Sequence, residues 1–127
     1  MKKNVLIAGS SGAIGREFTR FYSNDSNVEK VVTLSRKINN PIHKKIQSIE
    51  VDYSNEETFK NLDKISQLES ISTIIIATGI LHTDQIQPEK SIGSINFESL
   101  EKVFQVNVFG PILLVKKLLP LIKKSQG

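Results

Sequence analysis

Asn4-Val5-Leu6-Ile7-Ala8-Gly9-Ser10-Ser11-Gly12-Ala13-Ile14-Gly15 (residues 4–15) carries the chain's architecture in one stretch. Val5 to Ala8 is apolar without alternation, which suits a strand buried on both faces, and glycine ends it. Gly9, Gly12 and Gly15 then follow at a spacing of three, and Ile14, Phe18 and Phe21 recur at helical intervals from Gly12 to Tyr22. The unit reads as strand, tight loop, helix. In such a unit Gly9 permits the sharp turn, Gly12 admits a ligand close to the backbone, and Gly15 lets helix and strand pack. Free amides at the positive end of a helix seat a pyrophosphate. Ser10 and Ser11 add hydroxyl donors there, and Ala13 and Ile14 complete the loop. No Gly-Lys-Ser/Thr follows, so a P-loop is set aside. The plain alternative is a purely structural glycine turn.

Outward from this unit, β-branched Val31 to Ser35 reads as a second strand, Ile46 to Asp52 as a third, and Thr73 to Ala77 as a fourth. Between them, Ser54 is the expected cap of a helix running to about Glu69, with Phe59, Leu62, Ile65 and Leu68 as its apolar stripe. Residues 37–45 and 82–97 read as irregular. From Glu98 the chain turns helical and apolar, and Pro111 and Pro120 predict a kinked or two-part helix. Apolar strands alternating with helices predict an α/β fold. The expected form is a doubly wound parallel sheet, a partial Rossmann fold with strand order 3-2-1-4 and helices on both faces. Thr73 to Ala77 would then be a bare sheet edge.

The 127 residues fill one domain, with 39% hydrophobic and 24% charged residues, near the globular average. No uninterrupted apolar run reaches the roughly 18 residues of a membrane span, so no membrane role is expected. With no cysteine there is no disulfide or thiol chemistry, which accords with a cytoplasmic location. The net charge of +4 is spread over short groups such as Lys44-Lys45 and Lys123-Lys124 without a binding motif. A solvated surface accounts for it, and no nucleic-acid partner is expected. His43 and His82 show no metal-ligand spacing, and no metal is expected.

The end of the second strand selects the cofactor. An acidic residue about 20 positions beyond the glycines would bind a ribose 2′-hydroxyl, but Ser35-Arg36-Lys37 stands there. A hydroxyl and a guanidinium grip a 2′-phosphate that a carboxylate would repel, which favours NADP over NAD.

These residues resemble the amino-terminal half of a short-chain dehydrogenase/reductase. Ala8 to Gly15 is similar to that family's coenzyme loop, although its commonest form puts the middle glycine at Ala13. The resemblance implies that Asp52, in Val51-Asp52-Tyr53, contacts the adenine ring. It also implies that Ala77-Thr78-Gly79 lines the cofactor where the family usually has Asn-Asn-Ala-Gly, and that Asn107 is the asparagine of a catalytic tetrad. Leu81-His82 and Gln87-Pro88-Glu89-Lys90 resemble a C-factor-like subgroup. A homo-oligomer assembled through the helix at 99–122 is implied as well.

Hydride transfer to a carbonyl needs a proton donor, which the family supplies with Tyr-x-x-x-Lys and Ser. Tyr22 and Tyr53 are followed four residues on by Ser26 and Glu57, so the motif is absent from these residues. The chain is therefore expected to be the cofactor-binding half of an NADP-dependent oxidoreductase acting on a carbonyl or alcohol. By itself that half would be inactive, lacking the carboxy-terminal catalytic part. A non-catalytic dinucleotide-binding module, or an interaction protein using the 99–122 helix, are the alternatives.

Overall fold

The computed structural model describes residues 2–38, 43–79 and 91–126. Four parallel strands, β1 (Lys3–Ala8), β2 (Val28–Ser35), β3 (Ile46–Glu50) and β4 (Thr73–Ile76), form one sheet in the order β3-β2-β1-β4. The expected doubly wound half-sheet is present. β1 lies in the middle because it is the strand with no polar residue from Val5 to Ala8, and all four of these side chains are buried. Strand alternation divides them between two cores. Leu6 and Ala8 join Val32, Leu34 and Ile49 on one face, while Val5 and Ile7 join Val28 and Val31 on the other.

Helix α1 (Ala13–Ser23) covers the second core. Its contact face is not the Ile14, Phe18 and Phe21 stripe. Those three are exposed, and Gly15, Thr19 and Ser23 are buried instead, with Tyr22 packed on the Val5 and Ile7 layer. The close approach at Gly15 sets this rotation: a Cβ there would stand 2.0 Å from the Gly9 carbonyl oxygen. Only the small side chains of that face can follow it onto the strand. Phe18 and Phe21 flank the Tyr22 ring, at centroid distances of 6.4 and 5.1 Å.

The first core is closed by two elements. One is a 3-10 helix, Glu56–Ile65, where an α-helix from Ser54 was expected. Its cap is Asn55, whose Oδ1 accepts from the Glu57 amide at 3.2 Å, because Ser54 is already bonded to Asp52. Leu62 and Ile65 are buried and Phe59 and Leu68 partly so, as the stripe predicts.

The other is a continuous helical stretch, Phe97–Ser125. It consists of α2 (Phe97–Phe104), a π-turn at Gln105–Phe109 and α3 (Gly110–Ser125). The ring of Pro111 would meet the carbonyl of Asn107 four residues back, and the helix widens into a π-turn over those residues. Leu114 and Leu118 are fully buried against the sheet, a burial worth about 1.5–3 kcal/mol each. Ser125 donates to the Ile71 carbonyl at 2.8 Å and Lys117 pairs with Asp63 at 3.1 Å, holding the helix in place. By length and composition alone this helix is long and apolar enough to cross a membrane. Its apolar residues are spaced by lysines, so they form no single run, and its inner face is committed to the sheet.

Gly110 fixes how closely the long helix approaches β3. A Cβ there would stand 2.3 Å from Tyr53 Cγ, and the Tyr53 ring is itself buried and stacked on Phe59. Gly110→Ala is expected to lower the stability by about 1–3 kcal/mol through overpacking. In a Tyr53→Ala background the same change should be neutral or stabilising, because alanine favours the helix. Urea denaturation of the four proteins of this cycle checks the coupling.

Candidate functional site

All four strands end on one side of the sheet, and the loop after β1 lies over that edge. Gly9 has φ +83°, and a Cβ on it would meet the Ala77 carbonyl oxygen at 2.6 Å. With Gly15 against Gly9 as well, two of the three loop glycines are required by the fold itself. The loop is tied to β2, since the Leu34 carbonyl accepts from the Gly9 amide at 2.9 Å and from the Ser10 amide and hydroxyl at 3.3 Å.

Gly12 differs. Its φ of −77° suits any residue, and a Cβ there would find only the Gly9 oxygen at 3.6 Å, an ordinary contact. As N-cap of α1 it offers no side chain to the first-turn amides, and no acidic residue occupies that turn. The positive end of α1 is thus open to the space above the strands.

That space is a cleft of about 220 Å³. It gathers Gly9, Ser11 and Gly12 from the loop, Ser35 and Arg36 after β2, Asp52 and Tyr53 after β3, and Ala77, Thr78 and Gly79 after β4. Ten of the residues singled out from the sequence therefore meet in one place. Ser10, Ala13, Ile14, Gly15 and Asn107 do not line it: Ser10 is turned to β2, and Ile14 is exposed on the outer side of α1. Asn107 lies in the π-turn, its Oδ1 3.6 Å from where a Gly79 Cβ would stand. Leu81, His82 and Gln87 to Lys90 lie outside the described residues. Sequence reading missed Ser54, Lys102 and Val106. Ser54 has a local signal in its spacing from Asp52, a turn in which an aspartate side chain bonds the amide two residues on. Lys102 and Val106 belong to no motif and reach the cleft only because the long helix crosses the end of β3.

Asp52 is anchored. Its Oδ1 accepts from the Ser54 amide at 2.9 Å and from the Ser54 hydroxyl at 2.6 Å, and its own amide donates to Thr58 Oγ1 at 2.8 Å. Partial burial works to raise its pKa. The two Ser54 bonds and the positive charges of Lys102 and Arg36 outweigh that and hold the carboxyl below its ordinary value. Tyr53 is the reverse case: burial pushes its hydroxyl above the usual phenol range, and the Thr78 hydroxyl opposes the shift. Neither of these two buried hydroxyls completes a hydrogen bond of full geometry. The Ser35 hydroxyl donates back to the Lys37 carbonyl. Among the described residues no cluster has the makings of a metal site.

Comparison with known proteins follows the same line. The family described as short chain dehydrogenase matches this chain over residues 3–127. No curated protein matches it. Among solved structures, a short chain dehydrogenase family protein from Francisella tularensis is 25% identical with a TM-score of 0.80, over 95% of this chain and 47% of its own. A short chain dehydrogenase from Leptospira borgpetersenii, solved with bound NAD+, is 25% identical with a TM-score of 0.76, over 98% and 48%. An NADPH-bound carbonyl reductase from chicken fatty liver shares the fold, at 19% identity and a TM-score of 0.82, over 97% and 49%. The chain spans about half the length of these structures.

Because the native state holds Asp52 below the ordinary carboxylate value of 3.8, it favours the ionised form. The resulting stabilisation is present above that value and is lost as the pH falls below it. Urea midpoints of Asp52→Asn should therefore fall less steeply than wild type from pH 5 down to about pH 3. Parallel profiles would show that Asp52 makes no such contribution.

Proposed function

The chain belongs to the short-chain dehydrogenase family, and on that footing we propose that its cleft holds the adenosine diphosphate part of NADP within an oxidoreductase acting on a carbonyl or alcohol. The observation that carries the reading is the contrast among the loop glycines. Gly9 and Gly15 are forced by backbone contacts of 2.6 and 2.0 Å, whereas Gly12 has room for a side chain and stands bare at the uncapped start of α1. An anion on those amides accounts for that bareness, since a side chain there would occupy its place. The residues around it fit the remaining parts of the molecule. Ser35 and Arg36 are the groups for a ribose 2′-phosphate, Arg36 as a planar two-point donor. Asp52 is the acceptor for the base, and Ala77, Thr78 and Gly79 close the side toward β4.

When bound, the nicotinamide supplies the hydride, and this chain's residues bind and orient the rest of the molecule. Neither Tyr22 nor Tyr53 is followed by the lysine of Tyr-x-x-x-Lys, and Tyr53 is buried in the core beside Phe59. Residues 1–127 thus carry the groups for the cofactor and not the family's lysine-paired tyrosine. The reading extends to a homo-oligomer joined along the outer face of the long helix, supported by the exposure of Leu100, Phe104, Ile112 and Leu119.

Titration with NADPH and NADH tests the reading, following nicotinamide fluorescence in a protein that has no tryptophan. Saturable binding that favours NADPH is the expected outcome. Arg36→Ala should cost about 1.5–3 kcal/mol for NADPH and leave NADH nearly unchanged. Gly12→Asp should separate binding from folding. An aspartate at the N-cap is compatible with the backbone and stabilises the helix by a few tenths of a kcal/mol relative to glycine. Its carboxylate would occupy and repel the phosphate position, so both dinucleotides should lose at least about tenfold in affinity at an unchanged or raised Tm. Retained affinity in Gly12→Asp would remove the phosphate from the start of α1.

A further inference from the structure

We propose that Arg16 is a positioning residue of the glycine loop: its guanidinium engages the Ser11 carbonyl, so that the loop meets a diphosphate with amides alone. The proposal deepens the dinucleotide reading above and rests on it. Arg16 stands near the start of α1, just past the amides left open there. Its Nη2 donates to the Ser11 carbonyl at 3.1 Å, five residues back, and its own amide donates to the Gly12 carbonyl at 2.9 Å. One residue thus occupies two successive carbonyls of the loop. The Gly12 amide is tied in turn, donating to the Gly9 carbonyl at 3.2 Å. The peptide group between Ser11 and Gly12 is therefore held at both ends, its oxygen by Arg16 and its N–H by Gly9. The amides of Ser11, Ala13 and Ile14 have no acceptor among the described residues and are left for a ligand.

Two features set this contact apart from an ordinary surface bond. The first is freedom. Gly12 has no side chain to resist rotation of the peptide before it, and its backbone contacts leave it room. Once released, the Ser11 oxygen could swing toward the cleft that Ser11 lines, and the negative end of a carbonyl repels an anion. Fixing that peptide before binding spares the ligand the cost of ordering it. Ser11 and Gly12 line the cleft and Arg16 does not, so Arg16 acts through the loop. The second feature is charge. A cation near the start of a helix opposes the helix dipole, and no acidic residue in the first turn offsets it. Glu17 pairs with Arg20 at 3.3 Å instead, and among the described residues Arg16 forms no ion pair. For the helix alone the placement is unfavourable. An anion on the neighbouring amides makes it favourable.

The test titrates NADH and NADPH into wild type, Arg16→Met and Arg16→Lys at low and high salt, by nicotinamide fluorescence. Tm is recorded for each protein, and the Gly12 amide is followed by NMR. Arg16→Met should weaken both dinucleotides by the same factor, about three- to tenfold, with Tm unchanged or raised. Most of that loss should survive high salt, where distant surface charges are screened. The Gly12 amide signal should shift or broaden in Arg16→Met as its peptide gains freedom. Arg16→Lys, which keeps a charged donor, should restore most of the affinity. A loss confined to NADPH would mean that Arg16 serves the added phosphate, and the proposal falls. A loss that vanishes at high salt leaves Arg16 a distant charge, and one matched by a lower Tm leaves it a structural residue; either overturns the proposal. A Gly12 signal identical to wild type sinks it equally. Wild type that binds neither dinucleotide overturns the dinucleotide reading, and this inference with it. Wild type that binds normally beside an indifferent Arg16→Met overturns this inference alone.

Discussion

A three-way backbone contact governs the molecule. Gly9 turns at φ +83° with its α-carbon against the Ala77 carbonyl, and Gly15 rests on the Gly9 carbonyl, so β1, α1 and β4 meet where no side chain fits. Protein interiors are close-packed, and a contact of this kind has almost no freedom to adjust. It sets the height of α1 above the sheet, the direction of its axis, and therefore where its free amides point. The distance between the loop and the end of β4 follows from it as well. The rest of the cleft is built outward from this rigid corner.

The same corner explains which face of α1 is buried. An amphipathic helix ordinarily turns its large apolar side chains to the core, and by that rule Ile14, Phe18 and Phe21 face inward. The approach at Gly15 is too close for them. The helix rotates until Gly15, Thr19 and Ser23 meet the strands, with Thr19 Oγ1 donating to the Gly15 carbonyl at 2.8 Å. On the opposite face Gly110 lets the long helix settle directly on the Tyr53 ring, and large residues such as Leu114 and Leu118 fill the layer beyond it. On each face of the sheet a glycine thus sets how closely the helix approaches.

What was legible in the sequence was whatever depends on neighbours in the chain. Strand runs such as Val5 to Ala8 and Thr73 to Ile76, the glycine spacing, and the right-handed connections that order the sheet are local rules, and the 3-2-1-4 sheet follows from them. Contacts between distant segments were not legible. The sequence marks Ser54 as a cap, but Asp52 claims its hydroxyl and Asn55 takes the role. Pro111 reads as a kink or a division of the helix, and what stands before it is a π-turn between two α segments, with Leu114 and Leu118 held to the sheet beyond. Tyr53 reads as a cleft residue from its place after β3, and it does line the cleft, but its ring is buried structure. Lys102 carries no local signal at all; only the crossing of helix and strand makes it a neighbour of Asp52.

Shape and charge divide the work at the cleft. The glycine corner supplies shape but little selectivity, since backbone amides accept any suitably sized anion. Selectivity needs side chains, and those present are unbalanced: the open end of α1, Arg36 and Lys102 are positive, against the single carboxylate of Asp52. A lone carboxylate among cations would ordinarily collapse onto the nearest one. Ser54 prevents this by bonding Oδ1 from both its amide and its hydroxyl, which fixes the carboxyl group on the β3 side. Held in that way, Asp52 keeps its charge without spending it on a neighbour. The short turn after β3 is thus what keeps the cleft polar, open and directional at the same time.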